Sequence, residues 1–135
     1  MTASSTRTKK AKGKSFQNDI RDEILKLFPH LTTNDVYSTS MGSQGIDIKL
    51  SPEARKVFPY AVECKRSESI NINKAFEQSK TNGDKEGLIP IVVSKQNYKD
   101  SLVTLEWEVF KEMLKRLYRV EFGNTDCYGV ELNGT

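Results

Sequence analysis

The apolar positions fall into segments whose spacing changes from helical to alternating and back. Phe16, Ile20, Ile24, Leu27 and Phe28 recur at mostly three- and four-residue intervals, the stripe of an amphipathic helix that begins near Ser15 and closes at Pro29. One polar residue, Gln17, lies inside that stripe, between Ile24 and Phe28 on a helical wheel, and Glu23 stands at its margin. Val36–Ser40 reads as a short strand and Met41–Gly45 as a glycine-bearing loop. Ile46–Leu50 alternates, with Ile46, Ile48 and Leu50 on one face and Asp47 and Lys49 on the other. Pro52 and the polar residues after it make a turn. A third strand, Tyr60–Arg66, then puts Tyr60, Val62 and Cys64 on one face and Ala61, Glu63 and Lys65 on the opposite one.

Asn71 or Asn73 caps a helix that runs through Asn82 and ends at Gly83. Leu88–Ser94 is a nearly continuous apolar run, the pattern of a strand covered on both faces, although Pro90 asks for an edge position or a bulge. Leu102–Thr104 is a last short strand. A helix follows with Trp107, Phe110, Leu114, Leu117 and Tyr118 on one stripe, and Trp107 is expected in the core. Residues 121–135 are glycine-rich, with a small strand over Tyr128–Leu132. The order α-β-β-β-α-β-β-α predicts an α/β fold, a mixed central sheet flanked by helices, with strands two and three as antiparallel neighbours.

A chain of 135 residues suits one domain. Residues 1–12 are expected to be a disordered basic arm, 13–120 the folded domain and 121–135 a C-terminal extension. Residues 1–14 hold five cations and no acid; with a net charge of +3 overall, the rest of the chain is net −2. Attraction to nucleic acid therefore comes from the arm and from local patches, not from a basic body. No run approaches the ~18 apolar residues of a membrane span, so no membrane partner is expected. The polar, basic start is not a secretory signal. Two cysteines, Cys64 and Cys127, make no disulfide framework, and a four-ligand zinc site would take nearly every Cys and His. A reducing, intracellular compartment is the expectation.

The candidate chemistry lies on the middle strands. Glu63 and Lys65 share a strand face about 6.6 Å apart, and Asp47 lies on the polar face of the preceding strand. Pairing the strands brings two carboxylates and an ammonium to one spot. Two close carboxylates repel, and a hard divalent cation relieves that repulsion. Such a cation can polarise a phosphate and lower the pKa of water. Lys65 can then orient the attacking water or stabilise charge on the phosphoryl oxygens. By itself Glu63-x-Lys65 is equally the pattern of a solvated ion pair worth little. The Gly45-Ile46-Asp47 context, the apolar flanks, and Gln78 beside Lys74 on the next helix favour a site.

Gly45-Ile46-Asp47, then Glu63-Cys64-Lys65, then a helix bearing Gln78 resembles the PD-(D/E)XK nuclease superfamily. Lys12-Gly13-Lys14-Ser15-Phe16-Gln17, Ser38-Thr39-Ser40-Met41-Gly42 and Phe58-Pro59-Tyr60-Ala61-Val62-Glu63-Cys64-Lys65 resemble its small phage-encoded endonucleases, and the layout is similar to archaeal Holliday-junction resolvases. The resemblance runs from about Lys12 to Leu117. It implies a restriction-endonuclease-like fold and a Mg²⁺-dependent DNA endonuclease, with Mn²⁺ as a substitute, acting on branched or ordinary DNA. It implies Asp47, Glu63 and the Cys64 carbonyl as metal ligands, Lys65 as the catalytic lysine and Gln78 as a supporting catalytic residue. DNA contacts are expected from Lys12, Lys14, Ser40, Gly42, Ser43, Arg66 and Lys74. If the chain is phage-encoded, the compartment is the host cytoplasm. DNA is the expected partner, and a homodimer is left open.

Two departures qualify the resemblance. Related resolvases carry a glutamate on the first helix where this chain has Gln17, which leaves the metal one carboxylate short unless Glu23 or a water substitutes. Ile46 also stands where the family name has proline. The alternative is a catalytically inactive DNA-binding or protein-docking module on the same fold, and an RNA-processing nuclease is a third reading. Other motifs carry less. Gly13-Lys14-Ser15 mimics the end of a Walker A loop, but Thr8 stands where its first glycine belongs and no strand precedes it. His30 is the only histidine and sits beside Pro29 at a helix end. Tyr98, Trp107 and Tyr118 form no stacking platform at strand spacing.

Overall fold

A computed structural model describes residues 6–40 and 42–123. The chain divides into two units, Met1–Thr104 and Leu105–Thr135. The first holds α1 (Thr6–Leu27), β1 (Val36–Ser38), β2 (Ile48–Leu50), α2 (Pro52–Val57), β3 (Tyr60–Arg66), α3 (Ile72–Glu86), β4 (Ile89–Lys95) and β5 (Leu102–Thr104). The second holds α4 (Trp107–Phe122). The expected strand over Tyr128–Leu132 and Cys127 lie outside the described residues. No helix among the described residues is long and apolar enough to cross a membrane.

The α/β class and the chain order of the strands agree with the sequence, but the single mixed sheet does not. β1 and β2 form a two-stranded antiparallel sheet, and β3, β4 and β5 form a second sheet in that order. β2 and β3 are therefore not ladder neighbours. Where a ladder bond would run, the Asp47 carboxylate accepts the Cys64 backbone N–H at 2.8 Å. One side chain bridges the two sheets.

β3 and β4 pair in parallel through the α3 crossover, and β4 and β5 pair antiparallel. Pro90 sits in β4 opposite Ala61. The Ile89 N–H donates to the Pro59 carbonyl, so position 90 points its missing N–H away from β3. β5 pairs only with Val92–Ser94, so no donor is needed there. The proline keeps a local edge position within a strand that is central elsewhere.

Two helices differ from their expected limits. α1 starts at Thr6, so residues 6–12 are helical turns, not a disordered arm, and Gly13 lies within the helix. Thr8–Lys12 are exposed, whereas Phe16, Ile20 and Ile24 are buried; Leu27, expected on the same stripe, is exposed. α3 is capped by Asn71, whose side chain accepts the Lys74 N–H, and it continues through Gly83 to a left-handed Gly87. α2 occupies the expected turn after Leu50. Ser51 accepts the Ala54 N–H and Pro52 opens the helix, a start signal that the pattern of apolar residues hides.

Gly83 sets how closely α3 approaches β3. A Cβ there would lie 2.7 Å from the Leu88 carbonyl oxygen and 3.0 Å from the Ala61 Cβ. One turn earlier, the buried Ser79 hydroxyl donates to the carbonyls of Ala61 and Ile91 at 2.8 and 3.1 Å, joining the helix to both strands. Gly83→Ala is expected to destabilise the protein by about 1–3 kcal/mol, since backbone has to move. Urea denaturation measures this, and an unchanged midpoint would mean that α3 is free to shift outward.

α4 has the expected amphipathic stripe, with Glu108 in its first turn and Arg119 in its last, which suits the helix dipole. Trp107, expected in the core, is exposed, as are Phe110, Leu114 and Leu117. Spacing reveals that a helix has an apolar face, not what lies against it.

Candidate active site

Gln17 of α1, the loop between β1 and β2, the middle of β3 and one face of α3 line a polar cleft of about 680 Å³. Asp47, Glu63, Cys64, Lys65, Gln78, Gln17, Ser40, Gly42 and Ser43 all line it. Gly42 and Gly45 take positive φ, 84° and 98°, which lets the loop turn back into β2. Asn82 on α3 donates to the Gly45 carbonyl at 3.1 Å and holds that loop.

Glu63 is 3% exposed and lies 3.4 Å from the Lys65 ammonium. Burial, reinforced by the nearby Asp47 charge, raises its pKa from 4.5 to about 7, against the opposing pull of Lys65. Asp47 is raised as well, again chiefly by burial, although the Cys64 N–H and Lys65 favour its charged form. Two desolvated carboxylates thus share the influence of one ammonium, that of Lys65.

The Cys64 N–H points at Asp47, and in an extended strand the carbonyl of the same residue points to the same side. Two carboxylates and a backbone carbonyl are hard oxygen donors of the kind that Mg²⁺ or Mn²⁺ takes. No group of three or more His, Cys, Asp or Glu suited to a metal occurs among the described residues, so a cation held here would need water or substrate oxygens to complete its shell. Cys64 as a residue is half-buried. Burial first, then the Asp47 and Glu63 charges, push it well above the usual thiol range. A protonated thiol is a poor nucleophile and a poor ligand. Cys64→Ala is therefore expected to keep metal-dependent activity within about twofold; an inactive but folded variant in the same assay would assign the sulfur a role.

Gln17 is 4% exposed. Its amide donates to the Asp47 carbonyl at 3.2 Å and to the Thr39 carbonyl at 3.4 Å, so the polar residue in the apolar stripe anchors the backbone of a candidate ligand. Lys14, one turn earlier, donates to the Ser38 hydroxyl at 2.8 Å and the Thr39 carbonyl at 2.7 Å. Its half-buried ammonium is held against the end of β1, where the sequence suggested a DNA contact. Glu23 does not substitute at the cleft. Six residues at about 100° each carry it a third of a turn from Gln17, and it lines a separate depression with Lys12 and Arg66. Lys74 lines a depression beside the cleft.

Sequence reasoning missed Glu77, Thr81, Asn82 and Lys85, which also line the cleft. The signal was present: Gln78 and Asn82, like Glu77, Thr81 and Lys85, stand four apart on α3, the spacing of one helix face. A family model described as "phage putative PDDEXK endonuclease" matches residues 8–128. No curated protein and no solved structure matches the chain.

Proposed function

Because the chain belongs to the phage PDDEXK endonuclease family, we propose that it is a divalent-metal-dependent nuclease that hydrolyses phosphodiester bonds in DNA. The observation that carries this reading is the convergence of Asp47, Glu63 and Lys65 in one polar cleft, with both carboxylates desolvated. Their repulsion costs stability in the free protein, and a cation with oxygen preference relieves it. Asp47, Glu63 and the Cys64 carbonyl are the residues that would hold it. A bound divalent cation supplies charge neutralisation at the phosphate and a more acidic water.

The chain's own groups supply the rest. The Lys65 ammonium, 3.4 Å from Glu63, orients the attacking water or stabilises charge that develops on the phosphoryl oxygens. Gln78 reaches the cleft from α3 and positions groups around it. Ser40, Gly42 and Ser43 give the loop a small, polar surface on which a sugar-phosphate backbone can lie. Gln17 supports a second reading. With an amide where related resolvases carry a glutamate, the fold can serve as a silent DNA-binding module.

Incubating the protein with labelled duplex, single-stranded and four-way-junction DNA, with and without Mg²⁺ or Mn²⁺, tests both. Cleavage only with metal supports the nuclease, and the preferred substrate identifies branched or ordinary DNA. Binding with no cleavage in any metal would leave the silent module.

A further inference from the structure

The cleft continues past Gln78. Lys65 and Gln78 also line a second depression, of about 290 Å³, that carries Lys74. Ser67 and Ser69 of that depression line a third, of about 490 Å³, that carries Lys9, Lys12 and Arg66. Each hollow shares two residues with the next, so they lie in series as one groove, and the depression that carries Asp19 and Glu23 adjoins its far end at Lys12 and Arg66. The groove rounds the C-terminal end of β3, where the successive residues Lys65 and Arg66 point to opposite faces of the strand.

Four cations follow the candidate catalytic lysine along this path: Lys74, Arg66, Lys12 and Lys9. Among the described residues none of the four is in an ion pair. Arg66 is aimed by a hydrogen bond to the Asn97 side chain at 3.2 Å, which leaves other guanidinium N–H groups free to donate. Glu68, the acid of the third depression, is engaged by the Asn97 backbone N–H at 2.9 Å. Lys9 and Lys12 lie in the opening turns of α1, which has no acid in its first turn. Cations at a helix N-terminus oppose the helix dipole, so helix stability does not account for them. Ser67, Ser69 and Asn97 line the third depression with short polar side chains, while Ile70 and Ala75 line the second beside Lys74.

We propose that this groove is a backbone track: it holds successive phosphates of the DNA strand whose scissile phosphate lies in the cleft, on one side of that phosphate only. The proposal rests on the nuclease reading and adds where the substrate runs. It also makes recognition along the track independent of sequence, because phosphates carry no base information.

The test measures binding of a labelled duplex of about 20 base pairs in EDTA over a salt series, with single-stranded DNA and RNA of the same sequence as further probes. Arg66→Ala/Lys74→Ala is expected to weaken duplex binding about tenfold and to lower the log–log salt slope by about 1.8, two contacts at 0.9 each. Lys9→Gln/Lys12→Gln is expected to lower the slope by a similar amount. Lys56→Ala, on α2 and paired with Glu53, serves as the control and leaves the slope unchanged. Unchanged slopes in folded groove variants would overturn the track, as would an equal loss in the Lys56 control. RNA binding more tightly than both DNA forms would overturn the assignment to DNA. Metal-dependent cleavage by the wild type together with unchanged slopes would sink the track alone. Lowered slopes in a protein that never cleaves would keep the track and remove the nuclease reading.

Discussion

Asp47→Asn and Glu63→Gln are each expected to reduce metal-dependent cleavage by about a thousandfold or more, corresponding to the several kcal/mol of transition-state stabilisation that a held cation supplies. Both replacements keep the fold. Asn at position 47 retains an oxygen that accepts the Cys64 N–H, the bridge between the two sheets, whereas alanine would remove it. Glutamine at position 63 is isosteric with the buried glutamate. Binding of DNA without metal is expected to be retained or tightened, because each change removes a carboxylate facing phosphate. Lys65→Ala should keep metal affinity and lose about 10²–10³ in turnover, since its contribution falls in the transition state. If Glu63 and Lys65 were only a solvated ion pair, all of these changes would fall within about 1 kcal/mol in every assay. Calorimetric titration of Mn²⁺ into the wild type and the three variants decides: no metal binding by the wild type, even with DNA present, would end the nuclease reading.

The second large effect concerns stability. Without metal, Glu63→Gln is expected to be more stable than the wild type at pH 8 and about equal to it at pH 4. Glu63 titrates at about 7 in the folded protein and near 4.5 when unfolded. Between those values the folded state holds the proton more tightly. Wild-type stability therefore falls as pH rises from about 4.5 to about 7 and levels off above. The full shift corresponds to roughly 3 kcal/mol. Asp47 is raised too and acts with the same sign. Mn²⁺ should restore the wild type at pH 8 by binding the folded state and leave Glu63→Gln nearly unchanged. Thermal melts at pH 4 and pH 8 with and without Mn²⁺ read all four conditions. A glutamine variant less stable than the wild type at pH 8 would show that Lys65 compensates the buried charge.

Much of this was legible in the chain, and the failures have definite causes. Alternation placed Glu63 and Lys65 together, and the anomaly of Gln17 in an apolar stripe marked a buried amide beside the cleft. The sheet division was not legible, because a side-chain oxygen replaces a ladder bond at Asp47, and apolar alternation is the same in one sheet or two. Gly83 resembled a helix end, but its lack of a Cβ serves a close approach to Ala61 inside the helix. The outer turns of α1 carry no apolar stripe, so periodicity could not find them. The hydrogen-bond partners of Lys14, Ser38 and Thr39, lie more than twenty residues away in the chain, beyond the reach of a local pattern.

Gly13 divides α1 between two sets of contacts. On one side, Lys9 and Lys12 line the groove; on the other, Lys14 and Gln17 hold the carbonyls of Thr39 and Asp47. Glycine within a helix costs about 1 kcal/mol relative to alanine, so the rod bends or frays most cheaply at this position. On the proposed track, the outer turns would adjust to the DNA backbone at this glycine more readily than the inner turns, which are tied to β1 and the loop after it. If the groove holds a DNA backbone as proposed, strain from a poorly fitting substrate would fall on Gly13 before it reached the geometry around Asp47.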